Sequence, residues 1–182
     1  MVGTVALGAI ALLWLGGASD PQYWDPVIAG VTLEDAVSGR AFIMRHPTAA
    51  DEPADDFPRF RCLNADGTEL LSLILQYGAE RYQFAQFRVR SASSEAVKSE
   101  KSSIRSFVSG KGVHLGLTID RVVELLGPGV RQERQGEVRL KYSCSSAEAC
   151  PGLRRVNMPG YEAIYAFRAG KLVAFEGGYP YP

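Results

Sequence analysis

Between Gly30 and Glu176 the chain alternates short apolar runs of two different periods. The stretch Gly30-Val31-Thr32-Leu33-Glu34-Asp35-Ala36-Val37 predicts a short helix, with Thr32 as its cap and Asp35 three residues on as a weaker capping-box partner. Ala41 to Arg45 reads as a short strand, and Thr48 to Pro58 as an acidic, proline-containing loop. Period-two patterns then dominate. Arg59 to Leu63 leads into Asn64-Ala65-Asp66-Gly67, a hairpin turn signal, and Leu71, Leu73, Leu75 and Tyr77 share one face of the next strand. Tyr82 and Phe84 have the opposite parity to Phe87 and Val89, and a bulge at Ala85-Gln86 would place all four on one face. Ser91 to Ser106 is rich in Ser, Lys and Glu and reads as a solvated linker.

The second half repeats the sequence of events. Ile119, Val122, Val123 and Leu126 fall at helical spacing behind Thr118, with Gly127 as the stop and Pro128 after it. Val138, Leu140 and Tyr142 alternate with Glu137, Arg139 and Lys141, which predicts a half-buried strand with one wet face. Tyr161, Ala163, Tyr165 and Phe167 line another strand, turned by Ala169-Gly170 into Lys171 to Glu176, and the tail from Gly177 reads as extended. Gly30 to Val37 and Gly116 to Val123 match in residue type at almost every position, 86 residues apart. That match leaves two readings open: a tandem helix-plus-sheet repeat, or two independent good helix starts. The expected fold is α+β, an antiparallel sheet with short helices packed on one face. The expected divisions are a leader over 1–19, an N-terminal half over 27–90, a linker over 91–109, a second half over 110–176 and a tail over 177–182.

Composition narrows the function classes. The 182 residues carry 20 Lys+Arg against 20 Asp+Glu, and 46% are hydrophobic. That excludes a disordered polar chain, a collagen and a disulfide-dense miniprotein, and it removes nucleic acid as the default partner. Every charged residue lies after Ser19. Val2 to Gly17 is an uninterrupted apolar or Gly/Thr run, short for a membrane span but long enough for a secretory core, with Gly16-Gly17-Ala18-Ser19 offering small residues for cleavage. The expectation is a periplasmic or secreted protein. The competing reading is an uncleaved anchor, which would be the chain's one membrane contact.

Cys144 and Cys150 bracket a small polar loop, Ser145 to Ala149. A disulfide is preferred there over a metal site, because structural zinc wants four Cys or His ligands. Cys62, between Arg61 and Leu63, is expected as a buried strand thiol.

A search for chemistry finds little. No Gly-x-Ser-x-Gly elbow is present, His114 lies between Val113 and Leu115, and His46 precedes Pro47 at a loop entry. Asp51, Glu52, Asp55 and Asp56 lie in a proline-rich loop and read as a solvated run, and Ser109-Gly110-Lys111-Gly112 lacks the phosphate-loop pattern. Arg88, Arg90, Lys98, Lys101 and Arg105 make one locally basic stretch, and Arg154-Arg155 a second. No catalytic, cofactor or metal residue is assigned, and no cofactor is expected. Tyr23, Trp24, Tyr179 and Tyr181 flank the fold and are expected as exposed anchors for a protein partner.

The segment Gly112-Val113-His114-Leu115-Gly116-Leu117-Thr118-Ile119-Asp120-Arg121-Val122-Val123-Glu124-Leu125-Leu126-Gly127-Pro128 resembles the opening of small bacterial envelope domains of the SmpA/OmlA (BamE-like) type. It also resembles the related beta-lactamase-inhibitor-protein-like fold. The likeness spans roughly Lys111 to Glu176. It departs from the pattern where Pro128 directly follows Gly127, and in the missing lipid-attachment Cys. The resemblance implies an exported, non-catalytic module that binds protein, in envelope maintenance or assembly or in inhibition of an extracellular enzyme. The alternatives are a small-ligand carrier and a hydrolase with an unrecognised site.

Overall fold

The computed structural model describes residues 19–51, 59–76, 78–92 and 99–180. The expected leader, the acidic cluster from Glu52 onward, Tyr77 and Tyr181 lie outside the described residues. Among the described residues no helix is long and apolar enough to cross a membrane.

An entry strap, Asp20 to Pro26, leads into a two-stranded ribbon, β1 (Val27–Ile28) and β2 (Val31–Thr32). The ribbon turns at Ala29-Gly30, both at positive φ. Helix α1 (Ala36–Arg45) follows, then strands β3 (Ala49–Asp51), β4 (Arg59–Leu63), β5 (Glu69–Leu75) and β6 (Phe84–Ser91). The second series is α2 (Ile119–Leu126), β7 (Val130–Arg134), β8 (Glu137–Cys144), the short helix α3 (Gly152–Val156), β9 (Tyr161–Arg168) and β10 (Lys171–Gly178).

The fold is α+β. Among the described residues the eight longer strands form one antiparallel sheet in the order β3-β4-β5-β6-β10-β9-β8-β7. The order reads the same from either edge: a helix and a four-stranded meander, twice, with the last strand of each meander meeting at the centre. Val89 and Phe175, 86 positions apart, are cross-strand partners at that seam. Arg90 pairs with Ala174, and Arg88 with Glu176. The 86-residue offset holds for this central pair alone: the equivalent core positions of the next strands, Leu71 and Tyr165, are 94 apart, and the helix caps Asp35 and Thr118 are 83 apart.

One face of the sheet is the core. Cys62, Leu71, Val89, Phe175, Tyr165 and Leu140 form one buried rank straight across it. The register shifts between Ile74 and Leu75 opposite Phe84 to Gln86, so the expected bulge sets Phe84 and Phe87 on the same side. α2 adds Val122 and Leu126 to this side, and α1 adds Phe42. α1 can approach because Gly39 has no side chain: a Cβ there would lie 2.1 Å from the Tyr82 carbonyl oxygen.

Three local expectations are corrected. The first helix does not begin at Thr32. Thr32 pairs in the ribbon with Val27, and Asp35 caps instead, its carboxylate accepting from the Val37 and Ser38 amides at 3.1 Å. Ala41 to Arg45, read as a strand, is the second half of that helix, since Asp35 moves the start three residues on. The stretch read as a solvated linker is, from Ser99 onward, stitched to the fold. Leu63 exchanges backbone hydrogen bonds with Glu100 and Ser102, and Asn64 Nδ2 donates to the Arg105 carbonyl at 2.8 Å. Glu69, inside β5, accepts from Ser106 Oγ and the Phe107 amide, and Phe107 is fully buried. In contrast, α2 forms as read, with Thr118 Oγ1 accepting from the Arg121 amide and Gly127 closing it at φ 78°.

Candidate functional site

The flanking aromatics are not an exposed set. Trp24 and Tyr179 are buried, 8% and 0% exposed. Trp24 lies over Gly152, with its ring 4.9 Å from Tyr161 and 5.9 Å from Tyr179. Tyr179 continues the line of β10, its amide donating to the Ala85 carbonyl at 3.0 Å. Tyr23 is half-buried against Tyr142 and donates its hydroxyl to the Ser143 carbonyl at 3.1 Å. Residues at the two ends of the sequence thus converge on one core, because the strap runs back over the second half. The anchoring is polar as well. Asp20 accepts from the Gly152 amide and pairs with Arg155, and Asp25, 2% exposed, accepts from the Lys111 amide at 3.0 Å. Burial raises the Asp25 carboxyl above its ordinary range, against hydrogen bonds from Ser109 and Lys111 that lower it.

Cys144 and Cys150 are joined by a disulfide, as expected from their polar loop. It closes the turn between β8 and α3 beside the strap. Cys62 is a buried free thiol facing the core, pushed up to about 12 by burial. A thiol in that state is a poor nucleophile. The two histidines are engaged elsewhere. His46 packs against Phe42 with the rings tilted by 49° and lies 3.5 Å from Ser103 Oγ, at the outer limit of a hydrogen bond. His114 Nδ1 meets the Leu115 carbonyl at 2.9 Å. Among the described residues no three His, Cys, Asp or Glu side chains are grouped to hold a metal ion.

The open side of the sheet offers more. Side chains alternate across a strand, so the residues between the core positions share the other face. In β4, β5 and β6 these include Arg59, Arg61, Ser72, Ile74, Gln86, Arg88 and Arg90. In β10, β9 and β8 they include Glu176, Gly178, Glu162, Ile164, Arg139 and Lys141. Leaving Arg59 and Arg61 aside, among the described side chains seven basic ones (Arg88, Arg90, Arg134, Arg139, Lys141, Arg168 and Lys171) share this face with three acidic ones, Glu137, Glu162 and Glu176. Several are paired across strands: Arg88 with Glu176 at 2.5 Å, Lys141 with Glu162 at 3.2 Å, and both Arg139 and Arg168 with Glu137. The two arginines hold the Glu137 carboxyl below its usual range, Arg139 through the stronger hydrogen bond.

A notch of about 110 Å³ interrupts this face at the seam. It lies over Gly177 and Gly178, between Ile74, Ile164 and Pro180, with Gln86, Arg88, Glu162 and Glu176 at its edge. Gly178 keeps it open: a Cβ there would lie 2.5 Å from the Ala85 carbonyl oxygen and 2.6 Å from Gln86 Cγ. A larger, more open groove of about 570 Å³ lies on the helix side, where α1 leaves Val37 and Met44 exposed beside Tyr82.

Sequence reasoning identified the wet face of β8 but assigned Arg88 and Arg90 to a basic stretch running into the linker. The usable signal was parity. Both arginines alternate with Phe87 and Val89, so the bulge that sets those two on the core sets the arginines opposite.

No protein-family model, curated protein or solved structure matches the chain.

Proposed function

We propose that the chain is an exported, non-catalytic protein-binding module that docks an acidic protein surface on the open face of its sheet. It would serve envelope maintenance or assembly, or inhibit an extracellular enzyme. One observation carries the reading: the described part of the sheet is packed with helices on one side, while its other side, apart from a small buried cluster at Leu63 and Leu70, presents a cation-rich and partly ion-paired surface. Surfaces of that kind steer an oppositely charged partner and fix its register. The apolar run over Val2 to Gly17 and the Cys144–Cys150 disulfide support an oxidising compartment. The helix-then-four-strands order, repeated, supports the likeness to tandem inhibitor-like domains.

A protein partner is favoured over nucleic acid on two grounds. Three carboxylates interleave with the cations, and the described open-face positions of the strands carry no aromatic ring for base stacking.

The test is photo-crosslinking in exporting cells, with a photoreactive residue at Ser72, Ile164 or, as control, Val37. A discrete protein adduct at Ser72 and Ile164 that disappears when Arg90→Glu is added supports the reading. Adducts confined to Val37, or crosslinks to nucleic acid, would overturn it.

A further inference from the structure

The notch over Gly178 has a shape and chemistry of its own, and with docking on the open face as the premise it indicates what the partner must present. We infer that it receives a single aromatic side chain of tyrosine type from the partner. Its volume, about 110 Å³, is smaller than an enclosed cavity that holds a whole benzene ring, about 150 Å³, but the notch is open above, so a ring can be seated with its outer edge left in solvent. Ile74 and Ile164 form apolar walls on opposite sides, and the floor is glycine backbone, so a flat ring can lie close against the strand.

The rim is charge-balanced, Arg88 with Glu176 and Glu162 with Lys141, so an uncharged ring enters without adding an unbalanced charge between them. A phenol needs only one hydrogen-bond partner at the edge, and the Gln86 amide and the Glu162 carboxylate both stand there. Rigid aromatic anchors seated in central pockets carry a large share of binding energy at protein interfaces. The notch sits at the seam of the two meanders, central in the strand order and at the end of the sheet where β10 finishes at Gly178 and β5 at Leu75.

The experiment titrates the isotope-labelled full chain with N-acetyl-tyrosinamide and follows the Ile74 and Ile164 methyl signals and the Gly178 amide. N-acetyl-leucinamide and N-acetyl-lysinamide are the controls. Saturable shifts at all three positions are expected with the tyrosine probe, at least about tenfold weaker with either control. Ile164→Trp fills the notch and should abolish the shifts at Ile74 and Gly178, whereas Val130→Trp, on the same face at the edge strand, should leave them intact. Should Ile164→Trp fail to fold, Ile74→Trp fills the notch from the other wall. No saturable shift with the tyrosine probe, equal binding of a control, or shifts that survive filling would overturn the anchor. Loss of the anchor with open-face crosslinking intact leaves the docking face standing. A ring-binding notch without any open-face adduct removes the docking function instead.

Discussion

The two meanders share an order but are secured by different means. In the first, α1 is seated by shape: Gly39 lets the helix settle on the Tyr82 carbonyl and the Phe84 ring, and the core beneath is Leu71, Leu73, Leu75, Phe84 and Phe87. The first half's polar ties run from Asn64 and Glu69 to the segment after Ser99, whereas in the second they come from the core tyrosines. Tyr142 donates its hydroxyl to the Gly127 carbonyl at the end of α2, and Tyr161 donates to the Asp25 carbonyl of the strap. A disulfide closes the loop into α3, an insertion with no counterpart among the described residues of the first half. The difference teaches that one topology can draw its polar ties from side chains beside the core or from the core rings themselves. In the second case the hydroxyl-bearing rings serve as core and fastener at once.

The sharpest way to break the comparison is Gly39→Val. A side chain there meets backbone carbonyl rather than a flexible neighbour, so the first half should lose about 3 kcal/mol or more, read by chemical denaturation. Next, replacing Cys144 and Cys150 together by Ser should cost about 2 kcal/mol. Hydrogen exchange should accelerate in the strap and α3 before it does in α1, which separates the halves. Tyr161→Phe should cost about 1 kcal/mol, because the Asp25 carbonyl is left buried without its donor.

The smallest effect is pH dependence. Burial raises Asp25 and Glu34, so the folded state binds those protons more tightly than the unfolded chain does. The penalty for holding each as a carboxylate is fully present at neutral pH and fades as pH falls through the raised folded values. These two groups therefore add stability on acidification from neutrality towards about pH 4. Asp35 and Glu137, held low by hydrogen bonds, work in the opposite sense and lose their contribution at lower pH. Comparing wild type with Asp25→Asn across that range isolates the strap: the difference in midpoint should move in favour of wild type as pH drops.

Much of the second half was legible because its cues agree. Thr118, the apolar spacing behind it and Gly127 specify α2 together, and the unbroken alternation from Tyr161 to Phe167 specifies β9. The first helix was misplaced because Thr32 and Asp35 are both good caps, and only the pairing of Thr32 in the ribbon decides between them. β7 escaped notice because every one of its residues is exposed, which leaves no alternation to read. The burial of Trp24 and Tyr179 was illegible for a different reason. It depends on the strap folding back onto Gly152 and on β10 running next to β6, contacts far apart in the chain. The open face could be read only once each strand's register was known.

The most direct test of the central claim is the equilibrium affinity of the purified chain for the partner captured through Ser72 or Ile164. Arg90→Glu should weaken it by at least about tenfold and flatten its salt dependence, while Met44→Glu on the α1 side leaves it within about twofold. Unchanged affinity in Arg90→Glu, with the loss appearing in Met44→Glu, would place the docking surface on the helix side and contradict the account.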